Sequence, residues 1–151
     1  MKKIIVLGLG IIFFWSCDTS SDKATTHEEK GNPAIHHHEE GSEAIELNNG
    51  EKWVVNDEMK PFVLKGEELV NNYIQNGQSD YKTLAEQLKD QNSQLIKSCT
   101  MGGKSHDELH KWLHPHLKTV EELEKATDAA SADKIVLKLQ HSYQQYHQYF
   151  N

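Results

Sequence analysis

The chain has 151 residues, enough for one compact domain, and sets 16 basic residues, all of them lysine, against 23 acidic ones. With neutral histidines the net charge is −7. An acidic chain without arginine is poorly matched to nucleic acid, which needs clustered positive charge to displace counterions, and it lacks the planar forks that grip phosphate.

The chain opens "MKKIIVLGLGIIFFWSC": two lysines, an apolar run from Ile4 to Trp15, small Ser16, then Cys17. That is the layout of a secretory signal, and the run falls short of the roughly 20 residues that span a bilayer. A cysteine directly after the run, followed by a polar stretch, resembles the lipobox of bacterial lipoproteins. Phe14 stands where leucine is commonest, as in the bulky aromatic variants of Bacteroidota. The resemblance implies a signal peptide over 1–16, cleavage before Cys17, and a lipid anchor (palmitate among its chains) on that cysteine. Cleavage would leave 14 basic and 23 acidic residues and a charge of −9. Cys99 would then be the only thiol, unable to form an internal disulfide and therefore buried, metal-bound or reactive.

Residues 17–44 are rich in Ser, Thr, Glu and Gly and nearly devoid of apolar side chains. Such a composition cannot bury enough surface to offset chain entropy, so a disordered tether is expected. His27 and the run His36, His37, His38, beside Glu39 and Glu40, suit loose collection of divalent metal. Residues 45–55, "IELNNGEKWVV", alternate apolar and polar around Asn49-Gly50 and predict a short extended arm or hairpin.

The domain proper is expected over 56–151 as an all-α, up-down-up-down four-helix bundle. Asn56 reads as the first helix cap, with Asp57 and Glu58 in the first turn. The first stripe at helical spacing is Met59, Phe62, Val63, Leu69, Val70, Tyr73 and Ile74, with Pro61 tolerated near the start. Ser79 reads as the second cap, ahead of Tyr81, Leu84, Ala85, Leu88, Leu95, Ile96 and Cys99. Ser105 with Glu108 forms a capping-box pattern before His106, Leu109, His110, Leu113, Leu117, Val120 and Leu123, and Pro115 predicts a kink. The last stripe is Ile135, Val136, Leu139, Tyr143, Tyr146, His147 and Phe150. Short connections between helices of this length imply antiparallel neighbours.

In that topology one end of the bundle gathers Met59, Cys99, Met101, His106, His110 and His147, with His116 a turn or more away. His114 turns to the flank and His141 falls off its stripe. Histidines four residues apart share a helix face and chelate one ion. Thiolate and thioether favour Cu(I), imidazole suits copper and zinc alike, and zinc would leave the methionines unused. The expectation is therefore a copper site of Cys99, Met101, His106, His110, Met59 and His147, with His116 as a reserve ligand and zinc as the alternative metal. Taken singly, these residues also have plain readings: Cys99 and Met59 as core, His147 as a hydrogen-bond partner of Tyr143 or a carbonyl, and His106 with His110 as a half-exposed pair at a helix start.

The runs "LNNGEKWVVNDEM", "IKSCTMGGKSHDELHKWLHPH" and "YHQYF" resemble a group of small His-rich lipoproteins of Bacteroidota, over most of the chain from about residue 45 onward. The resemblance implies export, a helical domain and a His-rich leader, and carries no activity with it. The function expected is an envelope lipoprotein, periplasmic or surface-exposed, that buffers copper or hands it over. Its partners are the membrane, a metal ion and envelope metal-handling proteins. One alternative is haem b held by Met59 and His147, which resemble the axial pair of four-helix cytochromes; the other is a non-catalytic interaction module. No Cys-x-x-Cys-His is present for covalent haem, and no orienting group or oxyanion site accompanies Cys99 and His106, so an enzyme is not expected.

Overall fold

The computed structural model describes residues 43–151. The expected signal segment 1–16, the expected lipidation site Cys17 and the expected His-rich tether as far as residue 42 lie outside the described residues. Within them, four helices follow in order: α1 (Lys60–Gln75), α2 (Tyr81–Lys97), α3 (Lys104–Lys125) and α4 (Ala129–Tyr149). Connections of five, six and three residues force antiparallel neighbours. Each helix packs on the next, and α4 closes the ring on α1, which is the up-down-up-down bundle.

Each helix forms because apolar residues recur at three- and four-residue spacing on one side. α1 buries Val63, Gly66, Val70 and Tyr73; α2 buries Leu84, Ala85, Leu88, Asn92 and Leu95; α4 buries Ala132, Val136, Leu139, Tyr143 and Tyr146. Gly66 allows α1 and α4 to approach closely, since a Cβ there would run into the Tyr143 hydroxyl. Asp80 caps α2 through the Thr83 amide at 3.0 Å, and Asp128 caps α4 through the Ser131 amide at 2.9 Å.

Three expected caps are corrected. Ser79 stands outside α2, where Asp80 with its longer reach takes the capping place. Asn56 does not cap α1, whose first turn is preceded by Met59 and entered through Pro61. Its amide instead donates to the Ser98 carbonyl at 3.0 Å and accepts from the Thr100 amide at 3.3 Å, tying the entry of α1 to the exit of α2. Ser105 and Glu108 form no capping box, because the cap of α3 is Gly103, whose φ of 64° belongs to the glycine-favoured region, and Ser105 already lies inside the helix. Ile96, expected on the α2 stripe, is exposed. Pro115 sits inside α3, which runs through it without a break.

The arm has the expected Asn-Gly turn: Asn49 and Gly50 both take positive φ, and Asn48 pairs with Glu51 across it. Beyond the turn, Trp53 runs parallel to the chain end, its amide donating to Tyr149 at 2.8 Å and its carbonyl accepting from Asn151 at 3.1 Å. The arm is therefore sealed against the end of α4. Its inner side chains, Ile45, Trp53 and Val55, join the bundle core.

Glu108 fastens the other side of the arm. Only 3% exposed, it accepts the Glu46 amide at 2.8 Å and the Lys111 ammonium at 2.9 Å. Burial pushes its pKa up, but those two donors outweigh burial and leave it lowered. Glu108→Ala strips a buried acceptor from two donors. It should cost about 1–3 kcal/mol in urea unfolding and speed hydrogen exchange at the Glu46 amide. Unchanged stability and unchanged exchange would show that the arm is held by its apolar contacts alone.

Candidate metal centre

The rotational setting of α3 decides which histidines meet. Its buried side is Glu108, Leu109, Trp112, Leu113, His116, Val120 and Leu123. With about 100° per residue, a step of four residues advances about 40° beyond a full turn. His106, His110 and His114 therefore wind outward from the edge of the core, His106 and His110 half-buried and His114 exposed. They remain in register with one another. His106 Nε2 lies 3.1 Å from His110 Nε2, and His110 Nδ1 lies 2.9 Å from His114 Nε2. The result is a ladder of three imidazoles in which the middle ring faces one neighbour with each nitrogen.

Burial lowers the pKa of His110, and the neighbouring His106 and His114 lower it further against a smaller opposing effect of Asp107. The middle ring is thus biased toward the neutral form, which has a lone pair to give.

The rest of the expected set has other surroundings. Met59 is 0% exposed and packs in the core. Cys99 is a free thiol, half-buried against the core at the exit of α2, and Met101 packs there too. His147 Nε2 is engaged by Glu67 of α1 at 2.8 Å, a contact that binds α4 to α1. Among the described residues no three His, Cys, Asp or Glu side chains form a group able to hold one ion. The convergence of Cys99 on His106 and His110 is therefore not built. What the structure does bring together is His106 with His110, plus His114, which the sequence reading set on the flank.

His116, expected as a reserve ligand, is structural. It is 1% exposed, stacked on Trp112 at 4.9 Å and edge-on to Tyr143 at 4.9 Å. Its Nδ1 pairs with Ser142 Oγ at 3.0 Å, while the Ser142 carbonyl accepts from Trp112 Nε1 at 2.8 Å. Its Nε2 is buried without a hydrogen-bond partner. Sequence reasoning missed Trp112, Ser142, Glu67 and the third rung. The spacing of 106, 110 and 114 was the available signal for the last.

No family model, no curated protein and no solved structure matches the chain. Fold and site define it as a four-helix bundle bearing a histidine ladder on one flank.

Burial lowers the His116 pKa from 6.5 to about 4, so the folded state holds it neutral while the unfolded chain binds a proton more readily. The stability it contributes is present above its unfolded pKa and lost as pH falls from about 6.5 toward 4, on the order of 3 kcal/mol in all. His116→Phe keeps the ring stack and removes the titration. Relative to wild type, its unfolding free energy should fall less steeply over that range. Parallel pH profiles for the two proteins would contradict the assignment.

Proposed function

We propose that this chain is a metal-binding lipoprotein of the cell envelope, buffering or handing over a transition-metal ion through imidazoles on the flank of α3. One observation carries the reading: the 3.1 Å between His106 Nε2 and His110 Nε2. Two nitrogens bound to one tetrahedral ion at usual bond lengths stand about 3.3 Å apart, so the spacing of the pair is already near that of a chelate. Nitrogen donors bind copper more tightly than zinc, which puts copper first.

The soft part of the expected donor set fits less well. Monovalent copper favours thiolate and thioether, and would need the 98–103 turn to bring Cys99 and Met101 to the ladder. Divalent copper and zinc need only the nitrogens. Haem b is less favoured still, since Met59 is packed in the core and His147 is paired with Glu67. The envelope location rests on Lys2, Lys3, the apolar run and Cys17.

Metal binding is best measured in the full chain with His27, His36, His37 and His38 changed to alanine, so that the leader contributes no imidazole. Combining His106→Ala with His110→Ala in that background should weaken Cu(II) and Zn(II) by more than the roughly 10–100-fold typical of losing an outer partner. Cys99→Ser should bind both as the background does. The reverse pattern would return the site to the thiol. Because metal binds the folded state, copper should also raise the melting temperature of the background protein and leave the double variant unchanged. Separately, cells fed labelled palmitate should label the wild-type chain and not Cys17→Ser; equal labelling would remove the lipoprotein assignment.

A further inference from the structure

The chelating pair of the proposed function uses only one side of His110. Its Nε2 faces His106 at 3.1 Å and its Nδ1 faces His114 at 2.9 Å, so the ladder contains two bites that share one ring. The shorter spacing matches two adjacent nitrogens of a square-planar ion, about 2.9 Å apart at usual bond lengths, and the longer lies nearer the tetrahedral spacing. A neutral imidazole carries one N–H and one lone pair, so His110 can fill only one bite at a time.

We propose that His110 is the pivot of a two-position site. One borderline divalent ion, Cu(II) or Zn(II), sits either between His110 Nε2 and His106 Nε2 or between His110 Nδ1 and His114 Nε2. The inference rests on the imidazole reading above and deepens it. In the first position the Nδ1–H of His110 donates to His114 Nε2, and the outer histidine acts as the acceptor that ligating histidines characteristically require. In the second position the roles exchange, with Nε2–H donating to His106. Moving the ion from one bite to the other relocates one proton, from Nδ1 to Nε2 of His110, and leaves the total charge unchanged. Exposure rises along the ladder from His106 to His114, so the second position is the one nearer solvent. An ion there is closer to an acceptor than one held against the core.

The two-position site has a mutational signature that a fixed chelate lacks. In the chain with the four leader histidines changed to alanine, Cu(II) and Zn(II) affinities are measured by competition titration for His106→Ala, His110→Ala, His114→Ala and the His106→Ala, His114→Ala pair. Each flanking single change leaves one bite intact and removes only its outer partner, so it should cost roughly 10–100-fold. His110→Ala and the flanking pair both destroy every bite and should cost well beyond about a hundredfold. Circular dichroism confirms that each variant remains helical, and His141→Ala should match the background protein. If His106→Ala costs as much as His110→Ala while His114→Ala is silent, the site is a fixed pair and the pivot is wrong. If all three single changes cost alike, one ion takes three nitrogens at once and the pivot is equally wrong. If the background protein binds neither ion, the underlying imidazole reading fails instead.

Discussion

The rotational setting of α3 is the constraint from which the rest of the described structure follows. Trp112 is the largest fully buried side chain, and α3 must turn so that it faces the core. With Trp112 inward, Leu109, Leu113, His116, Val120 and Leu123 follow on the same side. Glu108 is carried to the edge that meets the arm, and the 106-110-114 series is carried off the opposite edge toward solvent. Hydrophobic burial, not any requirement of the histidines, sets where the ladder lies. The ladder is nonetheless kept in register by helix geometry, since side chains four apart lie one above another.

The same turn brings buried polar groups into the bundle, and their handling differs by location. Glu108 has two donors, one of them charged, and so remains an ionised carboxylate in an almost closed position. His116 has one partner, the Ser142 hydroxyl, and no second, so it is kept neutral by burial. Tyr73 and Tyr146 hydroxyls and one hydrogen-bonding nitrogen of Asn92 are also buried without partners. Each is a cost that apolar neighbours must outweigh. Close packing of Trp112, Tyr143, Tyr146 and Phe150 supplies much of the compensation, with ring centroids 4.9 to 6.4 Å apart.

How much of this was legible in the sequence depended on the kind of signal. Period and turn chemistry were readable: four stripes at helical spacing, breaks at 76–80, 100–104 and 127–131 that coincide with or overlap the observed connections, and Asn-Gly in the arm. Caps were less readable: Asn56 and Glu108 have the right side chains for capping but are recruited by contacts distant in sequence, Ser105 turns back to the Gly102 carbonyl, and Asp80 takes the place expected of Ser79. Glu108 meets the Glu46 amide, and Asn56 meets Ser98 and Thr100. The phase of α3 was the consequential error. Taking His106, His110 and Leu117 as inward rotates the helix by roughly half a residue, about 50°, from its true setting. That rotation moved His110 inward toward Cys99, left Trp112 off the stripe and demoted His116 to a reserve ligand. Leucine and lysine spacing alone cannot resolve half a residue; a tryptophan four residues before a histidine, both seeking burial, could have.

His116 and His110 show what that rotation means chemically. They lie six residues apart on one helix with the same side chain, yet they have opposite fates. His116 is closed off by Trp112, Tyr143 and Ser142, so its ring stabilises the fold in the neutral state and no ion can reach it without opening the core. His110 is half-buried, held on both nitrogens by neighbours that can themselves act as ligands. Full burial would make an ion slow to leave, and full exposure would leave three mobile rings with much conformational entropy to lose on binding. The edge position avoids both. Packing of the α3 backbone fixes the spacing of the ladder, while solvent keeps one side open. That combination is what the proposed exchange of a metal ion would require.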